Sequence, residues 1–148
     1  MFSGCSGILP DNGFTELVYK LDMPVKISEW LTENITYKAN LIIQLTPYQL
    51  YKSREGDCSD MSGFGEFIAD YHGYTTWEIK IWYSDTQTTH KIVVYQEEKL
   101  SYMDNWLYVY GFDTFLEIVW DDDRMNQYNW ESYRVYDYEN NIIERGIR

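Results

Sequence analysis

The stretch over residues 54–71, REGDCSDMSGFGEFIADY, determines how the rest of the chain is organised. Gly56 and Asp57 interrupt the preceding segment, and the apolar residues that follow recur at spacings of three and four. These apolar residues are Met61, Phe64, Ile68 and Tyr71. Their spacing predicts an amphipathic helix with one buried face, and Gly73 is a stop signal just beyond it.

Cys58 falls in or just before the first turn of this predicted helix. Unpaired backbone N–H groups and the positive end of the helix dipole favour a thiolate there. Because the thiolate is the nucleophilic form of cysteine, the position suits an attacking sulfur. The alternative is a small buried cysteine that merely follows a turn. Asp60, two residues later, is a candidate cap for the same helix.

Composition excludes several functional classes. The formal net charge of −12 argues against a nucleic acid or an anionic membrane as partner, and it is compatible with a basic substrate. Two cysteines, Cys5 and Cys58, cannot build a disulfide framework. The cysteines and histidines also lack zinc-site spacing, so we predict no metal and no cofactor. The first residues contain no signal peptide and no long apolar run, which predicts a cytoplasmic protein.

The chain before Cys58 predicts helices with one short strand. Residues 14–21 are interpreted as that strand, after an irregular lead-in over residues 1–13. Ser28 is interpreted as the N-cap of a helix that starts near residue 25 or 28 and ends near 36. Residues 46–51 are expected to form a turn or a short helix.

After Gly73 the hydrophobic period changes from 3.6 to 2, which predicts strands. The predicted strands cover residues 77–82, 90–95, 100–104, 106–110, 133–137 and 142–144, while 114–120 is a further strand or a short helix. Residues 121–123 are interpreted as a solvated loop, and Glu66 and Asp70 as outward-facing. The order predicts an α+β fold, and no domain boundary is visible, so we expect a single domain over residues 1–148.

The strands over residues 90–95 and 100–104 allow a prediction of register. An odd-length loop, either 96–98 or 95–99, puts Ile92 opposite Tyr102 and His90 opposite Asp104 on one apolar face. A loop of even length would mix polar and apolar side chains on both faces. Directly opposed residues are close enough for a carboxylate to accept the imidazole N–H. If the Cys58 helix packs on this face, Cys58, His90 and Asp104 form one set.

With Cys58, His90 and Asp104 in this order, the sequence resembles the transglutaminase-like domain of the papain-like cysteine peptidase superfamily. The resembling segments are ISEWL at residues 27–31, NITY at 34–37 and REGDCSD at 54–60. His90 follows Cys58 after 32 residues, and Asp104 follows after 14 more. The resemblance spans about residues 25–110. It implies a nucleophile-bearing helix packed on an antiparallel β-sheet.

The resemblance also implies acyl transfer on an amide through a thioester, by hydrolysis, deamidation or transglutamination. Cys58 would be the nucleophile, His90 the general base and then acid, and Asp104 its orienting partner. The Cys58 N–H would form half of an oxyanion hole, with Gln44, Gln49 and Tyr51 as candidate side-chain donors. Trp106 and Tyr51 are expected to contact a protein or peptide substrate.

The chain departs from the family pattern at two positions, because Ile92 stands where an aromatic residue is frequent and Asn105 where a small residue or proline is. These departures leave the substrate class open. The alternative function is a non-catalytic protein-binding module that retains the fold.

Overall fold

The structure, a computed structural model, describes residues 11–39, 43–86 and 88–148. The described helices are α1 (Asn12–Lys20), α2 (Pro24–Asn34), α3 (Pro47–Ser53), α4 (Cys58–Tyr71) and α5 (Phe115–Asn126). The described strands are β1 (Thr36–Tyr37), β2 (Glu55–Gly56), β3 (Thr76–Tyr83), β4 (Thr89–Gln96), β5 (Leu100–Asp104), β6 (Leu107–Phe112), β7 (Trp130–Asp137) and β8 (Ile142–Ile147). Cys5 and most of the predicted lead-in lie outside the described residues.

The α+β fold class is confirmed. Six strands form one antiparallel sheet in the order β6-β5-β4-β3-β7-β8, and β1 and β2 form a separate parallel pair. Helix α4 packs on one face of the large sheet, and α5 packs on the other. Among the described helices, none combines the length and the apolarity that crossing a membrane requires.

Helix α4 is the predicted amphipathic helix, and it lies against β4. Met61, Phe64 and Ile68 are fully buried in a core with Val93, Tyr95 and Met103 of the sheet and with α1, α2 and α3. A Cβ atom at Gly65 would collide with the Tyr95 hydroxyl, so glycine permits this close approach of helix to strand.

The predicted register of β4 and β5 is wrong by two residues, although the residues that share each face are grouped correctly. Val94 lies opposite Tyr102, and the loop covers residues 97–99. A shift of two residues preserves the faces because side chains alternate with a period of two. The hydrophobic pattern therefore fixes the faces, whereas the turn fixes the register. In the observed register His90 is a diagonal neighbour of Asp104, not its directly opposed partner.

The face chosen for the Cys58 helix is also different. Ile92, Val94 and Tyr102 pack beneath α5, and α4 covers the face of Val93, Tyr95 and Met103. Lys91 made that second face look polar in the sequence, but its ammonium group approaches Glu78 (3.5 Å) at the rim of the interface. Both faces of β4 are thus buried, and α4 meets His90 only at the beginning of the strand.

Three further predictions are wrong. The predicted strand over residues 14–21 is helical up to Lys20, with Leu21 as the C-cap of α1. Asp11 caps this helix by accepting from Phe14 N (2.7 Å), and Phe14 and Val18 are buried one turn apart. Ser28 is not an N-cap, since α2 begins at Pro24 and the Ser28 hydroxyl donates to the carbonyl of Trp106. Residues 121–123 are not a solvated loop, because they form the last turns of α5.

Candidate active site

Cys58 is the first residue of α4, and a reciprocal capping box holds it there. The Asp57 carboxylate accepts from Ser59 N (3.0 Å) and Asp60 N (3.1 Å). The buried Asp60 carboxylate in turn accepts from Asp57 N (2.9 Å) and from Leu45 N (2.7 Å). The expected capping role of Asp60 is therefore confirmed. The backbone N–H of Cys58 belongs to the first turn, where no intrahelical acceptor exists.

His90 lies between Cys58 and Asp104. Its Nε2 is 2.5 Å from Asp104 Oδ1, and its ring also lies close enough to the Cys58 sulfur to interact with it. Because Nε2 is taken by Asp104, Nδ1 is the ring nitrogen left for the sulfur. The backbone N–H of Lys91 also lies near the Cys58 sulfur and helps to lower the pKa of the thiol. The structure thus brings together the three residues that the sequence singled out, at the beginning of β4.

The electrostatics of these groups favour a thiolate and an imidazolium. Burial alone would raise the pKa of Cys58, but the hydrogen bond and the charge of His90 lower it below its usual value. Burial alone would lower the pKa of His90, but the hydrogen bonds with Asp104 and Cys58 raise it to about 10. Burial likewise opposes ionisation of Asp104, yet the contact with His90 keeps the pKa of that carboxyl below its usual value.

A group from α5 completes the surroundings of Asp104. Asn126 Nδ2 donates to Asp104 Oδ2 (3.1 Å) and to the carbonyl of Asp122 (3.0 Å). The side chain of Asp122 is fully buried beside Asp104, and its Oδ2 accepts from the Tyr83 hydroxyl (3.0 Å). Asp104 is therefore held from two directions, by His90 of the sheet and by Asn126 of the helix.

Cys58, His90 and Asp104 lie in the wall of one cleft of about 640 Å³. We call it the Cys58 cleft, and its lining is Tyr37, Ala39, Asp57, Cys58, Ser59, Tyr83, Thr88, Thr89, His90, Asp104, Asn105, Asn126 and Tyr128. Tyr37 reaches it because β1 pairs with β2 directly before Cys58, with Tyr37 opposite Gly56. Burial and the charge on Cys58 raise the pKa of the Tyr37 hydroxyl.

The other predicted contact residues lie elsewhere. Tyr51 stacks on Trp30 (6.3 Å between ring centroids) below the guanidinium of Arg54, within the core of the α4 face. Trp106 packs against the same core. Gln49 closes the capping box of α3, and Gln44 approaches Lys91 (3.5 Å). None of the four is part of the Cys58 cleft lining, so the geometry gives their predicted roles no support.

Sequence reasoning missed Tyr37, Tyr83, Asp122 and Asn126, and a signal existed for the two α5 residues. Thr114 and Glu117 form a capping box, which marks a helix start in the sequence. Ile118 and Asp122 are four residues apart on that helix, so the carboxylate continues a buried apolar stripe. A stripe that ends in acidic residues indicates a polar site beneath the helix.

His90, Asp104 and Asp122 form the group of potential metal ligands found among the described residues, with donor atoms within 4.8 Å of one another. The direct contact of 2.5 Å between His90 Nε2 and Asp104 Oδ1 argues against an ion between them. Two ligands of one metal with bonds of about 2.0–2.2 Å stand roughly 3 Å apart at tetrahedral or octahedral angles. The arrangement fits a shared proton better than a shared ion.

The fold is similar to that of several solved structures. Calcium-bound LapG of Legionella pneumophila is 11% identical over 90% of this chain and 78% of that chain, with a TM-score of 0.56. EGTA-treated LapG matches with 10% identity over 91% and 78%, at a TM-score of 0.57. A candidate cysteine protease from Cytophaga hutchinsonii matches with 11% identity over 93% of this chain and 50% of that chain, at 0.55.

These similarities show a shared fold, in agreement with the expected helix-on-sheet architecture. No protein-family model and no curated protein sequence matches the chain. At this level of identity the chemistry has to be argued from the residues of the site.

Proposed function

We propose that the chain is a cysteine-dependent amidase or peptidase that transfers an acyl group from an amide substrate through a thioester on Cys58. The observation that carries this proposal is the arrangement of Cys58, His90 and Asp104 in an open cleft, where His90 bonds Asp104 and lies beside the Cys58 sulfur. A structural cysteine needs neither an imidazolium partner nor access from solvent, whereas a nucleophile needs both. The fold shared with a candidate cysteine protease supports the same interpretation.

In the first step, the Cys58 thiolate attacks the amide carbonyl carbon, a C–S bond forms and the carbonyl electron pair moves onto oxygen. The Cys58 N–H is the backbone donor for this oxyanion, and the hydroxyl of Tyr37 in the same cleft is the side-chain candidate. The His90 imidazolium then donates its proton to the amide nitrogen as the C–N bond breaks. An amine leaves, and a thioester remains on Cys58.

In the second step, neutral His90 takes a proton from the incoming nucleophile, which attacks the thioester and releases the thiolate. Water as the nucleophile gives hydrolysis or deamidation, whereas an amine gives transglutamination. Asp104 accepts from Nε2 throughout, which fixes the ring with Nδ1 towards sulfur. We propose a protein or peptide substrate, and the net charge of −12 favours one with basic residues near the reacting bond.

The test is the rate at which iodoacetamide alkylates Cys58 at pH 6, with the label located by mass spectrometry. A thiol of pKa 8.5 is only about 0.3% thiolate at that pH, so a His90-stabilised thiolate should react at least about tenfold faster than a free thiol. Cys58→Ala should abolish this labelling and leave only slow labelling of Cys5. Incubation with peptide libraries should then yield an acyl adduct on Cys58.

The two histidines provide a matched control. His90→Gln should slow the alkylation of Cys58 about tenfold or more at pH 6, because the imidazolium that lowers the pKa of Cys58 is lost. His72→Gln should leave the rate unchanged, since His72 ends α4 and bonds the carbonyl of Val18 (2.6 Å). If wild-type Cys58 reacts no faster than a free thiol, the catalytic proposal fails and the non-catalytic binding module becomes the better account.

A further inference from the structure

The carboxyl group of Asp122 is buried directly behind Asp104, where the mechanism above gives it no task. Its side chain is fully buried, and its Oδ2 accepts from the Tyr83 hydroxyl (3.0 Å). Within the described residues, no N–H or O–H group donates to its Oδ1. A carboxylate oxygen of Asp122 nevertheless lies within 4.8 Å of one of Asp104, and the two groups influence each other's pKa. A contact between two acceptors needs a proton on one of them.

The proton belongs on Asp122 rather than on Asp104. Both oxygens of Asp104 already accept, from His90 (2.5 Å) and Asn126 (3.1 Å), and these two donors stabilise its ionised form. Two buried carboxylates so close together repel each other, so the one with fewer donors takes the proton. Burial and the charge of Asp104 accordingly raise the pKa of Asp122 to about 7.

None of the titratable groups that the structure describes around Asp122 is a cation that pairs with its carboxylate and would stabilise the ionised form. The titratable groups that surround it are Tyr83 of β3, His90 of β4, Tyr102 and Asp104 of β5, and Asp123 of α5. His90 is the cation among these groups, and it bonds Asp104. Arg148, 3.8 Å away from Asp123, pairs with that carboxylate.

We propose that Asp122 is a positioning residue that, as a neutral carboxylic acid, donates a hydrogen bond to Asp104 and thereby holds the Asp104–His90 pair in place. A buried carboxylic acid kept neutral near pH 7 can serve as a hydrogen-bond donor. Its effect on Cys58 rests on the proposed function, whereas the position of the proton does not. Above about pH 7 Asp122 ionises, the donated bond is lost and Asp104 is repelled.

The first test is a titration of the carboxyl groups of the whole protein, monitored by infrared or ¹³C NMR spectroscopy. Asp122→Asn identifies the Asp122 signal by its loss, because the amide keeps an oxygen for Tyr83 and an N–H for Asp104. We expect a carboxyl group that titrates near pH 7 in wild type and is missing from Asp122→Asn. An Asp122 carboxyl that titrates below pH 5 would overturn the proposal.

The second readout is alkylation of Cys58 by iodoacetamide at pH 6. Asp122→Leu, which removes the donor, should slow it by about tenfold to a hundredfold, the range for a hydrogen bond to a charged group. Asp122→Asn should stay within about threefold of wild type. Asp121→Asn, which alters the neighbouring carboxylate bonded to Tyr102 (2.8 Å), should have no effect. A loss with Asp122→Asn as large as with Asp122→Leu would contradict the donor role.

The two readouts separate failure of this inference from failure of the proposed function. If wild-type Cys58 is unreactive, the function fails, but the titration still locates the proton. If Asp122→Leu does not fold, the titration and the rate of Cys58 alkylation in Asp122→Asn still test the donor role of Asp122. A reactive Cys58 together with an Asp122 carboxyl that titrates below pH 5 would contradict only the positioning role.

Discussion

Helices α4 and α5 lie on opposite faces of the same sheet, and both bring side chains to the Cys58 cleft. The sequence predicts α4 as a helix, whereas it leaves the α5 segment as either a strand or a short helix. In α4 the buried stripe is apolar from Met61 to Ile68 and begins after a capping aspartate. In α5 the stripe starts with Ile118 and Val119 but ends in the buried Asp122 and Asp123. A helix that supports a polar site violates the local pattern that would identify it.

Acidic residues of both helices also differ from the sequence expectation, which was that Glu66 and Asp70 face outward and that residues 121–123 are solvated. Asp122 faces Asp104, and Asp123 Oδ1 accepts from Trp130 N (2.8 Å). On α4, Glu66 is half-buried near Glu78 of β3. Burial, followed by the charge of Glu78, raises the pKa of Glu66 to about 8. A carboxylate is usually exposed, so the sequence argument fails wherever a helix lies on a sheet that carries polar side chains.

The largest expected effect tests whether α5 is as firmly packed as α4. Ile68→Ala in α4 and Ile118→Ala in α5 should each lower the free energy of unfolding by about 2–5 kcal/mol, because both side chains are fully buried. Urea unfolding measures both. The exposed Leu116→Ala should change stability by less than about 0.5 kcal/mol. A cost below about 1 kcal/mol for Ile118→Ala would show that α5 is only loosely attached.

We expect Glu66→Gln to have a smaller effect on the free energy of unfolding, and this effect should depend on pH. The folded state raises the pKa of Glu66 from 4.5 to about 8, so it favours the protonated form. Wild-type stability should therefore fall as the pH rises through this window, and the substitution should remove that loss. The free energy of unfolding of Glu66→Gln minus that of wild type should be about 1–3 kcal/mol larger at pH 8.5 than at pH 5, as measured by urea unfolding.

The control for this substitution is Glu33→Gln on α2, where the side chain is exposed. It should change stability by less than about 0.5 kcal/mol at either pH. An equal gain from both variants would mean that the overall negative charge, rather than the burial of Glu66, limits stability.

The smallest expected effect on the free energy of unfolding comes from removing the N-caps of α4 and α5. Asp57 accepts from two backbone N–H groups of α4, whereas Thr114 accepts from one of α5, at Glu117 N (3.2 Å). Replacement by alanine should cost about 1–2 kcal/mol at Asp57 and about 0.5–1 kcal/mol at Thr114. Urea unfolding reads both costs, and Thr114→Ser should restore most of the loss. No loss of stability in Thr114→Ala would mean that this cap does not stabilise α5.

Agreement between sequence and structure is best where one local pattern decides the outcome. The spacing of apolar residues by three and four predicts α4. Their alternation predicts the strands β3 to β5, β7 and β8, and it groups the residues of β4 by face. Residues 14–21 show the limit of this reasoning. Their apolar content suggested a strand, but the cap at Asp11 and the spacing of Phe14 and Val18 make a helix.

The sequence by itself determined the helix that begins at Cys58, the antiparallel strands and the identity of the residues that meet there, because spacing and capping act over a few residues. The tertiary structure alone decided the face on which α4 packs, the register that makes His90 diagonal to Asp104, and the arrival of Asp122 and Asn126 behind them. Turn geometry and the burial of polar groups between helix and sheet set these features. Both depend on contacts between distant segments, which no local pattern encodes.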